Sequence, residues 1–132
     1  MTHEEILDGV RASVSEALDV PIEKIQADSR LIVDLGADSL DLLDLIFQLE
    51  RRFKIKLPMK ELQERMKSEL EGRPVEINGV YTLEAMDRIR GVMAEVPAEE
   101  LPDGLRVADL PKRFRVSTMV RWVQQALETA HV

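Results

Sequence analysis

"LGADSLDLLDLIFQLERRF", residues 35–53, decides how this chain folds. Leu42, Leu45, Ile46, Leu49 and Phe53 recur at three- and four-residue spacing, which predicts a helix from Ser39 to about Phe53 with one apolar side. "FKIKLP" closes it, and Pro58 bars continuation. With Asp38 as the N-cap, Asp41 stands at N3, both carboxylates favour the positive end of the helix, and Ser39 falls in the first turn with its hydroxyl outward. Taken alone this is ordinary capping chemistry, so the purpose of the serine has to come from the rest of the chain.

Upstream, Leu7, Val10, Val14 and Leu18 repeat helically over residues 3–18, with Thr2 as an N-cap three residues before Glu5 and Pro21 as the stop. Residues 19–37 form a connection whose apolar side chains (Val20, Ile22, Ile25, Leu31, Ile32, Leu35) are too numerous for a free linker; Gly36 marks its last bend. Downstream, "MKELQERMKSEL" carries Met59, Leu62, Met66 and Leu70 on one side, and "TLEAMDRIRGVM" follows behind a Thr82 cap. "STMVRWVQQALETA" turns Val120, Val123 and Leu127 inward, with Val116 as a staple before a cap at Ser117 or Thr118. "PVEINGVY" reads as a loop. The class is all-α.

Composition removes most chemistry. The 132 residues include no cysteine, so thiolate metal sites, disulfides and cysteine nucleophiles are excluded, and the two histidines, His3 and His131, lie at opposite ends. Residues 1–50 hold three Lys/Arg against twelve Asp/Glu, net −9, and residues 51–132 carry net +2. Nucleic acid is repelled by the acidic half, and a basic partner is attracted. The N-terminus is acidic where a signal peptide would be basic, and no apolar run exceeds three residues, so no transmembrane segment and a cytoplasmic location are expected.

Ser39 is not the nucleophile of a G-x-S-x-G elbow, because Gly36 stands three residues before it and Leu40-Asp41 follow. Asp34, Gly36 and Asp38 put a glycine in the middle of what a calcium loop would need as ligands, so no metal site is expected. What survives is a serine modified by another enzyme. A phosphate ester on the first turn of a helix meets free backbone N–H groups and the helix dipole.

The stretch "DSRLIVDLGADSLDLLDLIFQLERRFKIKLP", residues 28–58, resembles the acyl carrier proteins in its order of loop, Asp-Ser-Leu, amphipathic helix, phenylalanine and proline. The helix before it and "FRVSTMVRWVQQAL" are similar to the family's first and fourth helices. The resemblance implies a four-helix carrier bundle that is not an enzyme. It also implies covalent 4′-phosphopantetheine on Ser39, flanked by Asp38 and Leu40, whose thiol carries an acyl chain as a thioester. A phosphopantetheinyl transferase, with coenzyme A and magnesium, would supply the base and metal that this chain lacks. By the same resemblance Leu40, Asp41, Asp44 and Glu50 would face acyl-loading and acyl-transfer enzymes, and Leu42, Ile46 and Leu49 would line the acyl pocket.

The chain departs from the family in two places. Arg51, Arg52, Lys54 and Lys56 are basic where many members are acidic. Residues 67–113 intervene before the last helix and hold four of six prolines and four of six glycines, so the chain reads as one carrier domain, 1–132, with an insertion at about 67–113 whose apolar content argues for packing against the bundle. "TLEAMDRIRGVM" competes for the place of the family's last helix; "STMVRWVQQAL" is preferred because Phe114, Val116 and the Ser-Thr pair better match the usual lead-in. A monomer is the family default, and fatty acid or specialised lipid synthesis, lipid A and lipopolysaccharide included, is the expected setting. A second reading is an unprimed helical protein of the same fold that binds a basic partner through its acidic second helix.

Overall fold

The computed structural model describes residues 1–57 and 59–130, without the side chains of 59–63 and 129–130. They divide into two compact units: residues 1–58 with 114–132, and residues 59–113.

In the first unit, α1 (His3–Leu18), α2 (Ser39–Phe53) and α5 (Val116–Ala130) pack on one another. α1 opens with a capping box in which Glu5 N–H donates to Thr2 Oγ1 and Thr2 N–H donates to Glu5 Oε1, each at 3.1 Å. The hydrogen bond from the Thr2 backbone, then that from its side chain, holds the Glu5 carboxyl below its ordinary value. The helix ends at Asp19 in the left-handed region, just before Pro21. Its buried face is Ile6, Val10, Ser13 and Val14, while Leu7 and Leu18 are half-buried, so the stripe is turned slightly from the one read off the sequence.

A Cβ on Gly9 would meet Phe53 Cζ at 2.6 Å, so the missing side chain lets the Phe53 ring lie flush against α1. The same interface buries the Ser13 hydroxyl, which accepts from Arg52 Nε at 2.9 Å while Arg52 Nη2 reaches Glu16 at 3.2 Å.

The long connection after α1 is ordered by hydrogen bonds. Arg11 donates from Nε to Ile25 O (2.8 Å) and from Nη2 to Ile22 O (2.9 Å), pinning a 3-10 turn at Ile22–Lys24. Farther on the connection pairs with the chain entering α5: Leu31 N–H donates to Phe114 O, and the N–H groups of Val116 and Ser117 donate to Ser29 O and Ala27 O. Ile25, Leu31 and Ala37 are buried beneath it.

This pairing corrects the expected start of the last helix. α5 begins at Val116, two or three residues earlier than a Ser117 or Thr118 cap allows, and Val116 is itself a buried helical residue. Arg115 occupies the cap, its N–H donating to Thr118 Oγ1 at 3.0 Å, so Thr118 closes the first turn from inside the helix. Val116, Met119, Val120, Trp122, Val123 and Ala126 are buried, and Leu127 is only half-buried. Phe114 meets Trp122 edge to face at 5.2 Å. Because α5 packs on α1 and α2, it is the helix that completes this unit.

The second unit holds α3 (Met59–Glu69), a two-stranded hairpin and α4 (Leu83–Val92). "PVEINGVY" is not a loop. β1 (Glu76–Ile77) and β2 (Val80–Tyr81) pair antiparallel, with Asn78 and Gly79 both at positive φ, the conformation a two-residue hairpin turn requires. Each strand has two residues, too few for alternation to show. The Asn-Gly pair was the legible signal. Thr82 caps α4, as expected, accepting from Ala85 N–H at 3.3 Å and donating to Pro74 O at 3.0 Å. Leu70, Ala85, Met86, Ile89, Met93, Val96, Leu101 and Leu105 are buried, whereas Ile77, Leu83 and Val92 are exposed. Arg90 ties the turns together, donating to Leu101 O (2.8 Å), Asp103 (2.9 Å) and Asp87 (3.0 Å). No described helix is long and apolar enough to cross a membrane.

Candidate functional site

Ser39 stands at the first position of α2, exposed, at the end of a tightly braced turn. The bracing starts at Arg30, whose N–H donates to Asp34 Oδ2 at 2.8 Å and whose guanidinium reaches the same carboxylate at 3.2 and 3.3 Å. The Arg30 backbone, then its side chain, holds the Asp34 carboxyl below its ordinary value. Leu35 N–H donates to Arg30 O, Gly36 N–H to Ile32 O and Ala37 N–H to Leu31 O. Gly36 takes a φ of 77°, which reverses the chain at low cost only for glycine. Ala37 is buried, and Asp38 then emerges extended as the N-cap.

The cap is reciprocal. Asp41 N–H donates to Asp38 Oδ1 at 2.8 Å and Asp38 N–H donates to Asp41 Oδ2 at 3.1 Å. Leu42 N–H donates to Asp38 O, which leaves Ser39 and Leu40 N–H in the first turn without an acceptor among the described residues. Two free donors beside an outward serine hydroxyl suit an anionic ester on that oxygen. No base partners Ser39 among the described residues, and no group of three or more His, Cys, Asp or Glu among them could hold a metal.

Beyond the serine, α2 shows two faces. Leu45, Leu49 and Phe53 are buried, with Leu42 and Ile46 half-buried beside them. Of the three residues expected to line an acyl pocket, Leu49 therefore lies deepest. On the opposite face Leu40 is 75% exposed, Leu43 49% and Phe47 53%. Leu43 and Phe47 were passed over in the sequence; the signal was that both fall outside the apolar stripe of the same helix and so lack a core to join.

Asp44 is exposed and accepts from Gln48 Nε2 at 3.0 Å. Glu50 is half-buried, and its Oε2 accepts Leu57 N–H at 3.0 Å, bracing the chain after α2. Arg52 belongs to the α1 interface, whereas Arg51, Lys54 and Lys56 are exposed.

The family profile described as "Phosphopantetheine attachment site" matches residues 8–68, the span that contains this turn and α2. The chain is 44% identical over 64 residues to an acyl carrier protein of Borreliella burgdorferi, covering 48% of this chain and 80% of that protein. It is 39% identical over 62 residues to an acyl carrier protein of Campylobacter jejuni subsp. doylei, covering 47% and 80%. A third, from Campylobacter curvus, is 41% identical over 58 residues, covering 44% and 75%.

The chain belongs to the acyl carrier protein family. Its prosthetic group is covalently attached 4′-phosphopantetheine, and like other acyl carrier proteins it is a carrier and not an enzyme. The fit is visible in this acyl carrier protein's own residues, which offer an exposed hydroxyl, two free N–H donors and an apolar neighbour, Leu40, at one helix end.

Proposed function

We propose that Ser39 is the attachment residue and that the chain ferries an acyl group between enzymes of lipid synthesis. The observation that carries this is the exposed Ser39 hydroxyl on a first turn with free N–H donors, inside the matched span. When bound, the group supplies a terminal thiol that holds the acyl chain as a thioester. The chain's own residues do the rest. Asp38 and Asp41 lock the helix start, Arg30 and Asp34 brace the turn that presents it, and the Ser39 and Leu40 N–H groups receive the phosphate charge.

The docking face consists of Leu40, Leu43 and Phe47 beside Asp41 and Asp44, with the half-buried Glu50 at its edge. Apolar anchors ringed by carboxylates fit enzymes that present Lys/Arg around an apolar pocket. Leu42, Ile46 and Leu49 form the inner wall against which an acyl chain would lie. A dedicated lipid pathway, with lipopolysaccharide assembly the first to test, is favoured by the second unit, which adds a separate surface to the carrier.

The test is intact mass. The full chain incubated with a phosphopantetheinyl transferase, coenzyme A and magnesium should gain one increment equal to the prosthetic group, and Ser39→Ala should gain none. Modification elsewhere, or none with several transferases, overturns the reading and leaves an unprimed binding protein.

A further inference from the structure

The exposed face of α2 has an order of charges that partner docking alone does not explain. Leu40, Leu43 and Phe47 follow one another at three- and four-residue steps, as do Asp44, Phe47 and Arg51, so the two rows meet at Phe47 and form one broad stripe along the helix. All five are exposed. The stripe is negative before Phe47 and positive after it, with Lys54 continuing the positive end. Neither Arg51 nor Lys54 has an ion-pair partner among the described residues, in contrast to Arg52 one position away.

A charge-split stripe has a property that an all-acidic one lacks. Turned antiparallel, it is complementary to itself: with Phe47 near the two-fold axis, Asp44 lies three residues on one side and Arg51 four on the other, so each carboxylate comes level with a guanidinium. A two-fold about an axis perpendicular to both helices also keeps residues on the same flank of the stripe together. Asp44 and Arg51 share one flank, and Leu43 and Lys54 share the other.

We propose that this face docks a second copy of the chain antiparallel, Asp44 of each copy against Arg51 of the other, with the two Phe47 rings at the centre and Leu40 and Leu43 covered on either side. Three exposed apolar side chains per copy are a small patch beside the ~800 Å² per partner of a standard interface, so the pairing is weak and reversible. Its consequence rests on the carrier reading: the paired form hides Leu40, Leu43 and Phe47 and so competes with enzymes for the same face. The pairing itself does not require Ser39 to be modified.

The experiment is a charge swap on the full chain, read by sedimentation and light scattering over about a hundredfold range of concentration, with helix content checked by circular dichroism. Wild type should rise from the mass of one chain toward that of two. Asp44→Arg and Arg51→Asp should each associate at least tenfold more weakly, since each sets like charges opposite one another. An equimolar mixture of the two variants should regain association, because both cross-pairs are then opposite in sign. Ser39→Ala should behave as wild type, which separates this outcome from any failure of priming. A wild type that stays monomeric, association undiminished in Asp44→Arg, or a mixture that recovers nothing overturns the proposal; the last two would place the contact elsewhere, on the second unit or another helix.

Discussion

The two units use the same means in different proportion: the first keeps arginine-to-carbonyl bonds, such as those of Arg11 to Ile22 O and Ile25 O, for its long connection, and the second spreads them through its turns. In the first, three helices bring apolar stripes together: Val10 and Val14 from α1, Leu45 and Leu49 from α2, Val120 and Val123 from α5, all buried. In the second, the buried set around Met86 and Ile89 is supplemented by arginines that reach backbone carbonyls and carboxylates: Arg73 to Leu70 O, Arg90 to Leu101 O, Asp87 and Asp103, and Arg113 to Glu100 O. The contrast teaches that a bundle can be specified by periodicity, whereas a unit of short turns needs individual side chains to satisfy chain ends that have no long helix or sheet to join.

The sharpest way to break the contrast is Leu49→Ala. Leu49 is fully buried at the centre of α2, and its truncation should cost about 2–5 kcal/mol, a large part of a typical ~5–15. Thermal and urea unfolding of the first unit should shift accordingly, with residues 59–113 keeping their hydrogen-exchange protection. Protection lost equally in both units would show that they unfold as one.

Arg90→Met keeps an apolar stem and removes three hydrogen bonds. Its effect should be smaller and confined to the second unit, where amides of residues 83–105 should exchange faster while those of α1 and α2 do not change. Unaltered exchange around Leu101 would mean that the apolar set alone holds these turns.

The smallest effect concerns acid. Asp34 is held below its ordinary value by the Arg30 N–H and side chain, so its contribution is present above the ordinary carboxylate range and is lost as the pH falls through its own lowered value. Below that point amide exchange at Arg30 and through residues 34–37 should accelerate, and Asp34→Asn should show the fast rate already at neutral pH. An Arg30 amide indifferent to acid would remove Asp34 from the bracing of the serine turn.

Much of the first unit was legible because its signals are local and repetitive. Thr2 with Glu5, Asp38 with Asp41, and the stripe from Leu42 to Phe53 each announce a helix boundary or face within a few residues. The position of Ser39 on the first turn was legible for the same reason, since a cap and an amphipathic helix meet there. What escaped depends on distant chain. The start of α5 shifted to Val116 because residues 114–117 are bonded to Ala27, Ser29 and Leu31, far off in sequence. The hairpin has strands too short for alternation and only its Asn78-Gly79 turn as a local mark, and Leu43 and Phe47 are marked only by lying off the apolar stripe of α2. Of the two joints, the one at residue 58 had no compositional mark, since Met59 to Leu70 reads as one more amphipathic helix, whereas the proline- and glycine-rich stretch ends at about 113, beside the other.

The pinned ends of the first unit bear on how such a chain could gain or lose length. Leu57 is fastened by the Glu50 carboxylate, and Phe114 by the Leu31 amide, so the chain leaves and re-enters at two points that the first unit holds with its own hydrogen bonds. Material spliced between such anchors enters the stability of its host mainly as loop closure, a penalty that grows only logarithmically and adds about 0.6 kcal/mol for each doubling of length. A segment of different length between these anchors should therefore leave the register of the serine turn unchanged.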